Sequence, residues 1–208
     1  HVHIGNNVTS IGNEAFDGCR DLKIVTIGDG VTEIGEGAFM NCEALNSMTM
    51  GKSVISIGHF AFSGCTSLTS IDIPDSVKDI EDYAFKGTSI SYVDIPSSVT
   101  NIGDYAFSQT DLITVVIPNS VTDLGNYTFS NCPKLTRLYC HATVPPTCYN
   151  ILDSGINIYV PYQSVEAYKT SDNWEKYANY IVGYDYEQND EVDLDLSKCK
   201  VGDFINYK

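Results

Sequence analysis

The sequence predicts a right-handed α/β solenoid of six repeats of 22–23 residues, with short parallel strands and a C-terminal cap. Three observations support this prediction. An Ala-Phe dipeptide recurs along the chain, an Ile-Gly or Leu-Gly pair precedes most copies, and each repeat contains a short segment of alternating apolar residues. Self-similarity at a fixed period of this length is typical of repeat architectures.

Phenylalanine marks the repeat position. The rings recur at intervals of 23, 23, 23, 22 and 22 residues, and six of the eight phenylalanines occupy this position. They are Phe16, Phe39, Phe62, Phe85, Phe107 and Phe129. Because stacked repeats bury a continuous core between neighbouring coils, we expect these rings to stack inside the solenoid.

One repeat illustrates the local pattern. Leu68, Ile71 and Ile73 follow an L-x-x-I-x-I spacing, and its last part alternates as a half-buried strand does. Pro74-Asp75-Ser76 then turns the chain. A single repeat cannot bury its own apolar face, whereas stacked neighbours can, by placing parallel strands about 4.8 Å apart.

The segment Leu68–Val77 belongs to a longer pattern, L-x-x-I-x-I-P-x-S-V-x-x-I-G-x-x-A-F-x-x-C. This pattern resembles the BspA-like leucine-rich repeats, which occur in surface and secreted proteins of anaerobic bacteria and some parasitic protists. The resemblance covers residues 4–148 and implies a leucine-rich-repeat solenoid. It also extends to the end of the array, where Ile158–Pro161, Ser164–Tyr168 and Trp174 resemble the C-terminal cap of such proteins.

The chain divides into three parts by composition. Residues 1–148 form the repeat array, residues 149–184 an aromatic-rich cap, and residues 185–208 an acidic tail that is either a linker or the start of a further element. Val192–Leu196 in the tail alternates as a strand does. In the cap, Ser164 and Asp172 are predicted helix N-caps, and the aromatic side chains are expected in its core.

Composition excludes several classes of partner. Twelve basic residues against 27 acidic ones give a net charge of −15, which argues against nucleic acid and anionic membranes. No apolar run is long enough to span a membrane, so no membrane insertion is expected. The chain starts directly at a repeat with His1, which predicts a missing segment or a dimer.

Four cysteines occupy one repeat position, three residues after the phenylalanine. They are Cys19, Cys42, Cys65 and Cys132. We expect the first three to be reduced and buried as small hydrophobes, because two other repeats carry threonine there. Disulfides between adjacent coils are the alternative, since neighbouring strands lie within disulfide range. A bridge between Cys140 and Cys148 is also left open.

The sequence carries no pattern of a catalytic or metal site. The spacing C-x7-C-H-x6-C lacks the short knuckle of structural zinc sites, so no metal is expected. No phosphate-binding loop, H-E-x-x-H or G-x-S-x-G motif occurs. Adjacent positions point to opposite faces of a strand, so Cys140 and His141 do not form a nucleophile and base. We expect no cofactor and no enzyme activity.

The outward positions of the strands are free to vary and therefore predict the binding site. In the first two repeats these positions hold small residues, and in the later repeats they hold large or charged ones. The predicted ligand-binding residues are Tyr92, Asp94, Asp72, Val116, Arg137, Tyr139 and His141. Aromatic residues and arginine are enriched in binding hot spots. Tyr92 and Tyr139 are expected to lie outside the core, and the alternative is an ordinary solvated sheet face.

Three functions fit this sequence. The resemblance implies a non-catalytic, extracellular, secreted or cell-surface module for adhesion or protein interaction, with a host surface or matrix protein as partner and the concave strand face as binding surface. A structural spacer that displays another domain is the first alternative. The second is a carbohydrate-binding module that uses Tyr92, Tyr139 and the cap aromatics to bind a glycan.

Overall fold

The computed structural model describes residues 1–153 and 155–185. Within them the chain forms short parallel strands and little helix. In chain order the strands are β1 Val2–Ile4, β2 Ser10–Ile11, β3 Ile24–Ile27, β4 Glu33–Ile34, β5 Ser47–Thr49, β6 Ser56–Ile57, β7 Ser70–Asp72, β8 Asp79–Ile80, β9 Tyr92–Asp94, β10 Asn101–Ile102, β11 Thr114–Ile117, β12 Asp123–Leu124, β13 Arg137–Cys140, β14 Asn157–Pro161 and β15 Ile181–Tyr184. The helix α1, Val165–Thr170, lies between 3-10 helices at Tyr162–Ser164 and Glu175–Tyr180.

Each of the first six coils contributes one strand to a first face and a two-residue strand to a second sheet, and β13, β14 and β15 extend the first face. The first face, here called the strand face, contains the hydrogen-bonded groups β1-β3-β5, β7-β9 and β11-β13-β14-β15. The second sheet follows the order β12-β10-β8-β6-β4-β2. All pairs are parallel and in register, so that Val25 lies between Val2 and Met48. The predicted solenoid with short parallel strands is confirmed.

The phenylalanine ladder forms the centre of the core. Successive rings stack with centroids 5.1, 5.4, 5.4, 5.2 and 5.9 Å apart. The five rings from Phe39 to Phe129 are buried, as predicted. Phe16 is only half-buried, against the expectation. It belongs to the first coil of the chain and stacks on Phe39 alone among the ladder rings, so stacking covers one side of its ring.

Two of the three thiols that we predicted to be buried at the cysteine position are buried. Cys42 and Cys65 are buried, and each thiol donates to the carbonyl of a phenylalanine one coil earlier, at 3.1 Å. Cys19 is exposed, so its predicted burial is wrong. The thiols of later coils lie against the preceding coil, and Cys19 belongs to the first coil of the chain. Cys140 and Cys148 do not form a disulfide with each other, which contradicts the bridge that the sequence left open.

The cap extends the strand face through β14 and β15 and closes the core with aromatic side chains. Trp174, Tyr168 and Tyr177 are buried, which agrees with the prediction of a cap core. Ser164 occupies the N-cap position of α1, as predicted, whereas the N-cap predicted at Asp172 is wrong. The Ser164 hydroxyl does not cap α1 but donates to the carbonyl of Thr143 at 2.8 Å. The second helix begins at Glu175, beyond Asp172, and has no side-chain cap.

The acidic tail after Asp185 lies outside the described residues, together with the predicted alternation over Val192–Leu196. Its interpretation as a linker or further element therefore stays a prediction.

Candidate functional site

The predicted site residues lie in adjacent coils on the strand face, and we call them the strand-face patch. Its members are Asp72, Tyr92, Asp94, Val116, Arg137, Tyr139 and His141. Parallel register places Asp72 directly beside Asp94, and Val116 directly beside Tyr139. The β-strand alternation explains the placement of these four residues, because each lies between two inward residues. Tyr92 and Arg137 begin their strands, and His141 directly follows β13.

The two aspartates form the acidic part of the patch. Both side chains are exposed, and they are register partners on β7 and β9. Like charges directly opposite each other destabilise a sheet. Packing therefore gives no reason for this pair of exposed carboxylates.

Tyr139 differs from its prediction because it is 9% exposed and packs among other tyrosines. Its ring stacks on that of Tyr159 with centroids 4.7 Å apart, and the ring of Tyr184 lies edge-on at 5.5 Å. Burial raises the pKa of the Tyr139 phenol above its ordinary value. The expectation that Tyr139 stays outside the packed structure is therefore wrong, and substituting it would also change stability.

Tyr159 and Tyr184 are half-buried and belong to the same surface, although the sequence reasoning did not assign them to it. They lie on β14 and β15, which continue the strand face into the cap. The alternation of Ile158-Tyr159-Val160 was the signal that could have identified one of them.

Arg137 and Tyr92 occupy an outward column of the patch. Arg137 is exposed and lies in register between Thr114 and Asn157. Tyr92 is half-buried and pairs in register with Ser70. The same column in the first coils carries smaller or aliphatic residues, so its chemistry changes along the array.

His141 lies where the regular array ends. It is half-buried, and burial lowers the pKa of its imidazole below the ordinary value. It lines a groove of about 430 Å³ together with the loop that contains Val144 and Pro145. Three cap side chains donate hydrogen bonds of 2.8–2.9 Å to carbonyls of this loop: Tyr168 to Ala142, Ser164 to Thr143 and Trp174 to Pro146. The cap therefore holds one wall of the groove in place.

A second surface feature lies on the bend that precedes each inward phenylalanine, and the sequence reasoning missed it. Four aromatic rings, those of Phe60, Tyr83, Tyr105 and Tyr127, stack with centroids 4.6, 4.9 and 5.0 Å apart. We call them the bend ladder. Each ring is half-buried. The signal was a tyrosine directly before Ala84, Ala106 and Thr128.

The backbone of the bend ladder is in the left-handed region, with φ of 55–60° at all four residues. This conformation costs an L-residue about 1–2 kcal/mol, and glycine adopts it without that cost. Gly37 occupies the same position one coil before Phe60, with φ of 58°. Ring stacking stabilises each pair by about 0.5–1.5 kcal/mol, which offsets the strain.

The thiols and carboxylates of the described residues do not assemble a metal centre. No group of three or more His, Cys, Asp or Glu side chains lies close enough together there to hold an ion. Burial raises the pKa of Cys42 to about 11 and that of Cys65 to about 12. Both thiols are therefore protonated at neutral pH and are poor nucleophiles.

Comparison with known families identifies the repeat. The model of the BspA type leucine rich repeat region matches six copies, over residues 1–112 and 32–155. The chain belongs to the BspA type leucine-rich repeat family. This family and its solenoid fold are typical of non-catalytic repeat proteins that bind or scaffold. No curated protein matches the chain.

Three solved structures of leucine-rich repeat proteins resemble this BspA type chain. A leucine rich cell surface protein of Faecalibacterium prausnitzii A2-165 is 32% identical, with a TM-score of 0.58, and the match covers 70% of this chain and 40% of that one. A T. pallidum leucine rich repeat protein is 22% identical over 83% and 76% of the two chains, with a TM-score of 0.47. A Bacteroides ovatus leucine-rich repeat protein is 23% identical over 84% and 69%, with a TM-score of 0.40.

The Faecalibacterium match therefore spans less than half the length of that cell surface protein. Among residues 1–153 and 155–185, no helix is long and apolar enough to cross a membrane.

Proposed function

We propose that this chain is a non-catalytic extracellular binding module whose strand-face patch binds a protein partner. The observation that carries the proposal is the change in the outward columns along the array. Exposed Ser47 and Thr49 occupy them in an early coil, whereas Asp94, Arg137 and Tyr139 occupy them later. Packing accounts for Tyr139, which stacks on Tyr159, but it gives no reason for Asp94 and Arg137, which are exposed while the inward positions are apolar throughout.

The chemistry of the patch supports a protein partner. Arginine and tyrosine are enriched in the hot spots of protein interfaces. Here the packed Tyr139–Tyr159 pair offers a rigid aromatic anchor, while Arg137 and Asp94 offer charges of both signs at exposed positions. A rigid anchor loses little conformational entropy when it is covered.

An extracellular location is supported by the family and by the cell surface protein that this chain resembles. A host surface or matrix protein is the partner class that we propose on this basis.

The test compares two double variants. The first, Arg137→Ala with Asp94→Ala, removes the exposed charges of the patch. The second, Ser47→Ala with Thr49→Ala, changes the same face in an early coil. All four side chains are exposed, so melting temperatures should stay close to that of the wild type. A partner captured by the wild type from surface and matrix proteins is identified, purified and titrated against each protein.

We expect the first variant to bind about tenfold more weakly or worse, and the second to bind as the wild type does. Equal affinities for the two variants would contradict the proposal and place the binding site elsewhere.

A carbohydrate-binding module is the second candidate, and the half-exposed Tyr159 and Tyr184 favour it. A glycan array with the wild type and Tyr159→Ala tests this candidate. Glycan binding that depends on Tyr159 and not on Arg137 would replace the protein partner with a glycan.

A further inference from the structure

The bend ladder is a second surface, separate from the strand-face patch. Tyr105 follows Tyr92 by 13 residues in a coil of 22, so the two features lie about half a coil apart along the chain. Three of the ladder residues donate their backbone N–H to a carbonyl of the next coil at 2.8–3.0 Å: Phe60 to Asp82, Tyr83 to Asp104 and Tyr105 to Asn126. These bonds fix the ladder on the rigid part of the solenoid.

The aromatic side chains are not needed for the bend itself. Gly37 makes the same turn without a side chain, and its N–H donates to His59 in the same way, at 2.7 Å. Glu14 takes the same position in the first coil with φ of 55°, so the turn requires neither glycine nor an aromatic ring, and the four rings remain half exposed.

Carboxylates border the ladder. Asp82 and Asp104 come directly before two of its tyrosines, and Glu81 precedes Asp82. All three side chains are half exposed. Asp82 accepts the backbone N–H of Asp104 and lies 3.6 Å from the imidazole of His59. Asp104 accepts both the backbone N–H and the side-chain amide of Asn126, so these contacts hold both carboxylates beside the rings.

A cation already lies on the ladder. The Lys86 ammonium is 5.2 Å from the centroid of Tyr83 and 5.8 Å from that of Tyr105. Both distances are within the range of cation–π attraction. The Lys86 side chain thus lies near two successive rings, which shows that this surface accepts a cationic group.

We propose that the bend ladder, with its bordering carboxylates, binds a lysine- or arginine-rich segment of a protein partner. The rings attract cations, the carboxylates add opposite charge, and the chain carries a net charge of −15. A sugar ring is a poorer occupant, because it needs one whole open ring face, which stacking closes, whereas an ammonium group can lie beside the stack near two rings and the bordering carboxylates, as Lys86 does for Tyr83 and Tyr105. An anionic membrane is repelled by the same carboxylates.

The first experiment removes rings at constant charge. A fluorescein-labelled octalysine peptide is titrated into the wild type, the double variant Tyr83→Gly with Tyr105→Gly, and the control Tyr162→Gly. Glycine suits the left-handed backbone at the ladder, as Gly37 shows. Tyr162 is 75% exposed and lies in the cap. We expect about tenfold weaker peptide binding for the ladder variant and an unchanged affinity for the control.

The second experiment separates the ladder from the general acidity of the chain. Asp82→Asn with Asp104→Asn removes two charges beside the rings, and Asp72→Asn with Asp94→Asn removes two on the strand face. Asparagine fits the position of Asp82 and Asp104, because Asn13 occupies the equivalent position in the first coil. Its side chain accepts the backbone N–H of Glu36 in the next coil at 3.0 Å. We expect the bend variant to lose at least threefold more affinity for octalysine than the strand-face variant.

A third comparison uses the lysine that the peptide would displace. Lys86→Ala should strengthen octalysine binding more than Lys52→Ala does, because each removes one charge and only Lys86 lies on the ladder. Lys52 is exposed in an early coil.

Three results would overturn the proposal. One is wild-type affinity of the glycine variant with an unchanged melting temperature. Another is an equal loss in the two asparagine variants, which would assign octalysine binding to net charge alone. The third is displacement of the peptide by neutral oligosaccharides together with no loss in the bend asparagine variant, which would assign the ladder to sugars. None of these results bears on the strand-face patch, so the proposed function is tested independently.

Discussion

The first coil and the cap differ in how completely they bury their apolar side chains. In the first coil, Phe16 is half-buried and Cys19 is exposed, although the equivalent residues of the next coil, Phe39 and Cys42, are buried. At the other end, Trp174 and Tyr168 are fully buried, and their rings meet edge-to-face at 4.8 Å. Repeat position alone therefore does not determine burial, because each coil is covered by its neighbours.

The buried aromatic side chains of the cap also donate hydrogen bonds. The Trp174 indole N–H donates to the carbonyl of Pro146 at 2.8 Å, and the Tyr168 hydroxyl donates to the carbonyl of Ala142 at 2.9 Å. Buried aromatic residues with a polar atom usually need such partners. The irregular chain after the last repeat is therefore fixed by side chains of the cap, whereas the regular coils are held by their sheet ladders.

The largest expected difference between the ends is in stability. Trp174→Ala removes a fully buried ring and the hydrogen bond to Pro146, and should lower the free energy of unfolding by about 3–5 kcal/mol. Phe16→Ala removes a half-buried ring and should cost about 1 kcal/mol. Urea unfolding followed by circular dichroism measures both. Equal losses would contradict the difference between the two ends.

The fold could be predicted because the inward residues repeat at a nearly constant interval. Phe39 and Phe62 stack one coil apart in the same core geometry. Because neighbouring coils are in register, a residue that is correctly predicted to be inward in one coil identifies the inward residue of the next. Cys19 was predicted wrongly because its burial depends on a neighbouring coil and not on its own sequence. Ser164 takes its predicted N-cap position but makes no capping hydrogen bond for a related reason, since its hydroxyl donates to a tertiary partner, the carbonyl of Thr143.

The strand-face patch could be predicted less completely. Tyr139 was placed on the correct face, but its packing against Tyr159 depends on the cap, where the spacing of the repeats changes. The bend ladder was missed because Glu14 and Gly37 hold its position in the first two coils, which hides the aromatic pattern of Phe60 and the three tyrosines. A left-handed backbone that carries an aromatic residue is also not expected from residue preferences.

Thiol reactivity gives a second contrast along the array. Cys19 is exposed, whereas Cys42 and Cys65 are buried with pKa values raised to about 11 and about 12. At pH 8 a thiol with a pKa of 12 is ionised in only about one molecule in ten thousand. Iodoacetamide should therefore alkylate Cys19 long before the other two. Peptide mapping by mass spectrometry identifies each site, and labelling in urea is the control in which all of them react.

Comparable labelling rates for Cys19 and Cys65 in the native protein would contradict burial of the cysteine position. A mass lower by two hydrogens in a peptide pair that contains Cys19 and Cys42 would reveal a disulfide in place of the free thiols.

The smallest expected effect concerns His141, at the boundary between the array and the cap. Burial lowers the pKa of its imidazole in the folded chain below the value of 6.5. Between the folded and unfolded pKa values the unfolded chain binds more protons, so the contribution of His141 to stability is complete above pH 6.5 and is lost as the pH falls through the folded pKa. The carboxylates titrate in the same direction in any variant, so a difference between two proteins isolates the histidine.

We therefore expect the stability of the wild type, relative to His141→Gln, to decrease from pH 8 to pH 5. Urea unfolding of both proteins at one-unit intervals and constant ionic strength measures this difference. A difference that rises as the pH falls would mean that the folded chain holds the protonated imidazole better than the unfolded chain does. The groove wall beside His141 would then stabilise a positive charge, as an acidic surface does, and would not disfavour it, as an apolar surface does.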